Sequence, residues 1–187
     1  MKKVIIALLV LGACGSVVFA GDMQKEGSVL LGYASPSGDV GDLVDGGVAF
    51  GFDYDGYKIN DLWSIGGTFM YNSNTGKQTD ILGDEYKYDI SSWGLTPYAK
   101  ISKEVELGGT KANVFGLAGL GLYGVTTEVS ILGVSAEASD SQFGFNFGGG
   151  IMFPMGDKMK IGADVRYHIV ASDLSYFIPA AKFTYSF

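Results

Sequence analysis

Asp164, Arg166 and His168 stand two residues apart. In an extended chain that spacing sends all three side chains to one face, because successive strand residues alternate sides. Asp53, Lys100 and Lys182 fall on the equivalent polar face of their own segments. Carboxylates, ammonium groups and a guanidinium on facing sides of a sheet form paired, hydrogen-bonded networks. The expected constellation is therefore Asp53, Lys100, Asp164, Arg166, His168 and Lys182, centred on Arg166, with Asp164 and Asp53 as its partners. His168 is the only histidine, and Ser172 follows four residues on with the same parity. Nucleophilic catalysis needs the hydroxyl within hydrogen-bond reach of its base, and two positions four apart along one strand do not meet. No catalytic centre is expected from this pair.

The other candidates are weaker. Asp39, Asp42 and Asp45 lack the spacing of an EF-hand calcium loop and read as a solvated acidic loop. Gly116, Gly119, Gly121 and Gly124 precede no helix, so they do not make a phosphate cradle; they relieve crowding between strands. Cys14 is the only cysteine, which excludes an intrachain disulfide and a cysteine-based metal site. No metal or cofactor is expected.

The elements that must carry these residues are strands. Met159, Ile161, Ala163, Val165, Tyr167 and Ile169 alternate with Lys160, Gly162, Asp164, Arg166 and His168. Phe177, Pro179, Ala181, Phe183, Tyr185 and Phe187 alternate with Ile178, Ala180, Lys182, Thr184 and Ser186, and Pro179, which donates no ladder bond, is placed at that strand's start. Similar alternation runs through 28–34, 48–55, 63–71 and 142–153. In 86–101, Trp93, Leu95, Pro97, Ala99 and Ile101 share a face, while Tyr88 and Ile90 fall on the other; a bulge near Ser91 and Ser92 would reconcile them. Segment 112–126 is apolar on both faces, which leaves its orientation open. These are eight segments, an even number. The connections at 35–46, 73–85 and 127–139 read as long and polar, those at 58–61 and 154–157 as tight, and those at 102–111 and 171–175 as intermediate.

Direction decides the class. In a soluble barrel the apolar face lines a cavity and the polar face meets water. Here the second face is mostly Gly, Ala, Ser and Thr, and only 18% of the chain is charged. A water-facing surface carries more charge than that. Small residues and a few paired charges suit the cramped interior of an eight-stranded barrel. The aromatic face then turns to lipid, with tyrosines near the strand ends at the interfaces.

The N-terminus is an export address. Lys2 and Lys3 precede the apolar run Val4–Val10, and Val18-Phe19-Ala20 has the small-residue spacing of a leader-peptidase site. Residues 1–20 read as a signal peptide cut between Ala20 and Gly21, leaving 21–187 as the barrel. A second reading stays open: Leu11-Gly12-Ala13-Cys14 resembles a lipobox, in which Cys14 is lipidated and becomes the N-terminus. Past Ala20 no apolar run reaches the ~18 residues of a membrane helix. The formal charge of −7 and the absence of a basic run argue against nucleic acid as a partner.

Phe145-Asn146-Phe147-Gly148-Gly149-Gly150 before a tight turn, Asp164-Val165-Arg166-Tyr167 in the penultimate strand, and the closing aromatics Phe183, Tyr185 and Phe187 resemble the small outer-membrane β-barrel family that includes OmpX and the barrel domain of OmpA. The resemblance covers the whole of 21–187. It implies an all-β, eight-stranded, up-and-down transmembrane barrel in the cell outer membrane. It also implies that Phe183, Tyr185 and Phe187 are the signature read by the barrel assembly machinery. No periplasmic peptidoglycan-binding domain follows the last strand, so the anchoring role of longer relatives is not expected. These motifs specify architecture, not activity.

The expected protein is a monomer in outer-membrane lipid. It is not an enzyme: its loops carry a structural or surface-interaction role toward a surface ligand, and the polar network plugs its lumen. Two alternatives remain at this point, a narrow pore for ions or small solutes and a soluble periplasmic ligand-binding barrel.

Overall fold

The computed structural model describes residues 25–39, 41–79, 85–131, 134–171 and 174–187. Ala20, Gly21, Cys14 and Ser172, singled out above, lie outside the described residues. Eight strands run in chain order: β1 (Glu26–Ser37), β2 (Gly47–Lys58), β3 (Trp63–Thr79), β4 (Glu85–Leu107), β5 (Thr110–Ile131), β6 (Val134–Pro154), β7 (Met159–Ala171) and β8 (Leu174–Ser186). Each pairs antiparallel with its neighbour in sequence, and β8 returns to β1 from Glu26↔Ser186 to Ser37↔Ser175. Closure leaves no unpaired sheet edge within the ring, the condition for a sheet to stand in hydrocarbon.

The faces divide as a membrane barrel requires. Leu31, Phe52, Phe147, Val165 and Phe183 are exposed on the outside, whereas Arg166 is 1% exposed and Asp53 and Asp164 are fully buried. An arginine or lysine on the lipid side at mid-depth costs roughly 2–4 kcal/mol. The opposite arrangement would also crowd the large aromatic side chains into the narrow interior of an eight-stranded barrel. Both effects favour the observed direction. Trp63 and Tyr54 stand near one end of this outer band, and Tyr33 and the cross-strand pair Tyr71↔Trp93 near the other.

One end of the barrel has tight turns. Gly108 and Gly109 both have positive φ (59° and 83°) and join β4 to β5 between the paired Leu107 and Thr110. Two left-handed residues make the two-residue hairpin whose twist matches the strands. The stretch at 102–111, read from the sequence as an intermediate connection, is thus almost entirely strand. In the β2–β3 turn, Asn60 Oδ1 accepts from the Leu62 and Trp63 amides, both at 2.9 Å.

The other end departs further from expectation. Stretches 73–85 and 127–139 are strand over most of their length, paired up to Thr79↔Glu85 and Ile131↔Val134. Beyond Val48↔Ser73, β3 pairs only with β4, and beyond Phe145↔Ile169, β6 pairs only with β5. Four strands, β3 to β6, therefore rise past the closed ring as an open sheet. The 38–46 connection lies along its β3 side: the Asp45 amide donates to Thr75 O (3.2 Å) and Asn74 Nδ2 donates to Asp45 O (2.9 Å).

Two local expectations are corrected. No bulge occurs at Ser91 and Ser92, where the register with both neighbours is continuous; the irregularities fall at Asp55/Tyr57 and Ile169/Ala171. Tyr88 and Ile90 do lie on the face opposite Trp93, as their parity gives, and that face is inward: Ile90 belongs to a buried apolar cluster with Leu30, Met70, Val170 and Ile178. Pro179 lies in the middle of β8, not at its start. The β1–β8 ladder stops at Gly32↔Ala180 and resumes at Ser35↔Phe177, so the missing N–H falls in a gap. Segment 112–126 now has faces, with Phe115, Leu117 and Tyr123 inside and Val114 and Leu120 outside.

Candidate functional site

The six residues singled out from the sequence all lie inside the ring. Arg166, on β7, is clamped twice. Its Nε and Nη2 donate to Asp164 Oδ1 and Oδ2 at 2.9 and 2.8 Å. Its Nη1 and Nη2 donate to Asp53 Oδ1 and Oδ2, on β2 across the lumen, at 3.1 and 2.5 Å. Thr68 completes the set: its hydroxyl accepts from Arg166 Nη1 (2.8 Å) and donates to Asp53 Oδ1 (2.7 Å). Lys182 Nζ donates to Asp53 Oδ2 at 2.6 Å and stands 3.5 Å from Asp164. Bidentate pairing uses the fork of the guanidinium fully, and lysine could not replace it here.

Toward the tight-turn end the network continues through residues that the sequence reading did not single out. Lys100 pairs with Asp55 (2.5 Å) and not with the Arg166 group; Tyr98 Oη also donates to Asp55, at 2.9 Å. Lys160 pairs with Glu26 (2.6 Å), which also accepts from Ser186 Oγ (3.1 Å). The Phe115 ring lies 4.8 Å from Lys182 Nζ, a cation–π contact. Among the described residues of these groups, the carboxylates Glu26, Asp53, Asp55 and Asp164 face the cations Lys100, Lys160, Arg166 and Lys182 in equal number. Asp55 and Lys160 shared inward parity with the chosen residues, which was the signal available for them. A cavity of about 20 Å³ lies between Glu26, Asp55, Lys100, Phe115 and Lys160, room for about one water.

His168 stands apart from the ions. Its Nδ1 is 3.0 Å from Tyr123 Oη, which accepts from Asn146 Nδ2 (3.1 Å), and Asn146 also donates to Thr96 Oγ1 (2.8 Å). Among the described residues no carboxylate orients the imidazole, and no group of three or more His, Cys, Asp or Glu side chains is placed to hold a metal ion; Asp39, Asp42 and Asp45 do not converge. Above this layer an apolar cluster of Leu30, Met70, Ile90, Val170 and Ile178 shares the interior with Asn72, Asn74 and Ser92, which are buried and linked by hydrogen bonds of 2.8 and 2.6 Å.

At the closing end of the chain, Phe183, Tyr185 and Phe187 all point outward. The Tyr185 and Phe187 rings meet edge to face at 5.4 Å, and the Phe187 amide donates to Lys25 O at 2.9 Å.

The rising sheet has two unlike faces. Tyr88↔Val129↔Ala136 and Ile90↔Thr127↔Ala138 form rows on the face continuous with the lumen, topped by Ile131↔Val134. The opposite face carries Lys87↔Ser130↔Ser135 and Asp89↔Glu128↔Glu137. Lys87 Nζ and Thr75 Oγ1 both donate to the Asp89 carboxylate at 2.6 Å, and they hold it below the usual carboxylate range.

Comparison with known proteins agrees with this architecture. A family model described as "Outer membrane protein beta-barrel domain" matches residues 6–187. Among solved structures, Ail, the attachment invasion locus protein of Yersinia pestis, in complex with the heparin analogue sucrose octasulfate, is similar at TM-score 0.55 and 18% identity; the match covers 88% of this chain and 100% of that one. A second Ail structure gives 0.56 and 21% over the same shares. Neisserial surface protein A gives 0.55 and 12%, covering 90% of this chain and 99% of that one. No curated protein sequence matches the chain.

Proposed function

Because the chain belongs to the outer membrane protein β-barrel domain family, we propose that it works at the cell surface as a non-enzymatic interaction protein whose lumen is closed to ions. It is an eight-stranded barrel of the outer membrane. The observation that carries the surface role is the continuation of β5 and β6 beyond the ring. Val134–Gln142 pairs with β5 alone, and at about 3.4 Å per residue this is roughly 30 Å of strand. A barrel that only had to sit in lipid would not need it. The closed lumen is supported by the density of its pairing. Each cation of the network has a carboxylate partner within 4 Å, and above it an apolar cluster shares the interior with the hydrogen-bonded side chains of Asn72, Asn74 and Ser92.

The surface is acidic. Asp39, Asp42, Asp45, Asp89, Glu128, Glu137 and Asp140 stand at the open-sheet end, against Lys77 and Lys87. A polyanion such as the heparin analogue bound by Ail does not suit such a surface, since like charges repel across short distances.

The test compares the whole chain with a variant in which 127–138 is replaced by a two-residue turn. Both are placed in planar bilayers and, in nanodiscs, over a panel of immobilised proteins and glycans. Neither should conduct, and binding should be confined to the whole chain. A steady conductance that survives the trimming would replace the surface role with a pore.

A further inference from the structure

Every ladder but one joins strands that follow each other in the chain. The exception is β1 with β8, which brings Glu26 beside Ser186. Joining distant parts of a chain costs more entropy than zipping a hairpin. This is also the ladder that Pro179 interrupts, between Gly32↔Ala180 and Ser35↔Phe177. Shutting the ring is therefore the step in which side-chain guidance counts most.

Inward charge is divided between the two ends that must meet. The buried charged residues of β1 and β2 are Glu26, Asp53 and Asp55, all carboxylates. β7 and β8 carry Arg166 and Lys182, with Lys160 at the rim and Asp164 as their one acid. Among the described residues, β3, β5 and β6 add no buried charge and β4 adds Lys100. The pairs cross the seam. Lys160 on β7 donates to Glu26 on β1 (2.6 Å), Arg166 on β7 to Asp53 on β2 (3.1 and 2.5 Å), and Lys182 on β8 to Asp53 (2.6 Å). Ser28 and Thr184 meet on the seam itself at 2.8 Å. Asp164 instead pairs within its own strand, with Arg166 two residues on.

Register gives these charges a task that the apolar pattern cannot perform. A slip of one residue between β1 and β8 turns every side chain to the wrong face, so alternation forbids it. A slip of two keeps the faces. It carries each cation about 7 Å along the strand from its carboxylate, two residues at about 3.4 Å each. We infer that the division of charge is the device that closes the barrel: the acidic β1–β2 end attracts the cationic β7–β8 end and selects the register in which they join. Unlike charges act at separations that backbone hydrogen bonds do not reach. A network that only stabilised the finished ring would not need acids gathered at one end and cations at the other.

The test follows folding of the full chain from urea into short-chain phosphatidylcholine vesicles, with heat-modifiable migration as the measure of closed barrel. Rates are taken at about 0.01 M and about 1 M salt, between which the screening length falls from about 30 to about 3 Å. Closing should slow in high salt. Asp53→Asn should close about tenfold more slowly than the native chain in low salt, the lower end of what electrostatic steering gives, and should lose most of its salt dependence. Asp164→Asn breaks an equally buried pair but leaves the cationic end more cationic. It should unfold faster in urea without closing more slowly. Glu26→Gln leaves the Arg166 clamp intact and should slow closing about threefold, as fits a pair at the wet rim; it decides the matter alone if Asp53→Asn does not fold. Equal slowing by Asp53→Asn and Asp164→Asn would mean that the network acts through stability and not through attraction across the seam, and would overturn the inference. So would variants that change only the unfolding rate, because the pairs would then form after the ring has shut.

Discussion

Arg166 shows why a barrel can bury a charge in a membrane. Its five N–H donors meet two carboxylates and a hydroxyl, and Lys182 shares Asp53 Oδ2 with it. Replacing Arg166 with methionine leaves Asp53 and Asp164 facing each other with only Lys182 between them. Breaking one member out of a buried pair costs about 3–5 kcal/mol. Arg166→Met should therefore lower the urea midpoint of the barrel in detergent micelles, while the triple variant Asp53→Asn, Asp164→Asn, Arg166→Met should recover much of the loss. No recovery would mean that the guanidinium is held mainly by packing. Parity in the sequence was enough to place Asp53, Asp164, Arg166 and Lys182 on one side. It could not reveal that Lys100 prefers Asp55, because that choice depends on register across an intervening strand. Lys100 stands opposite Ser64 and Asp55 opposite Gly66, and these small residues of β3 let Lys100 and Tyr98 reach over to β2. A Cβ at Gly66 would collide with the Tyr98 ring.

At the level of elements, alternation identified all eight strands but not where they stop. Segments 73–85 and 127–139 are rich in Ser, Thr, Asn, Asp and Glu, and that composition reads as loop. Pairing overrides it: Val125, Val129 and Ile131 on β5 keep the period of two, with Tyr88 and Ile90 opposite on β4. The expected bulge at Ser91 and Ser92 failed for a related reason, since it assumed that the whole lumen was polar. The rising sheet makes a clear prediction for hydrogen exchange. Amides of Thr126–Ser130 have a strand on each side and should all be protected. In Val134–Gln142 every second amide faces the open edge and should exchange fast. Uniform fast exchange across both stretches would return them to the status of loops. The Asp89 carboxylate, held low by Lys87 and Thr75, keeps these contacts at neutral pH and loses them only as pH falls through its lowered value.

For the whole molecule, the direction of the faces is decisive: aromatic side chains outward to acyl chains, paired charges inward. The two tryptophans of the chain, Trp63 and Trp93, both lie on the outer face, 43% and 41% exposed. This allows a direct test with the native side chains. Trp93 fluorescence, isolated by Trp63→Phe, is measured in bilayers of lipids brominated on the acyl chain and, separately, with iodide in the water phase. The arrangement of Trp93 beside Tyr71 on the outer band predicts strong quenching by the brominated lipids and little by iodide. Strong iodide quenching with no effect of the brominated chains would mean that this face meets water, and it would contradict the account.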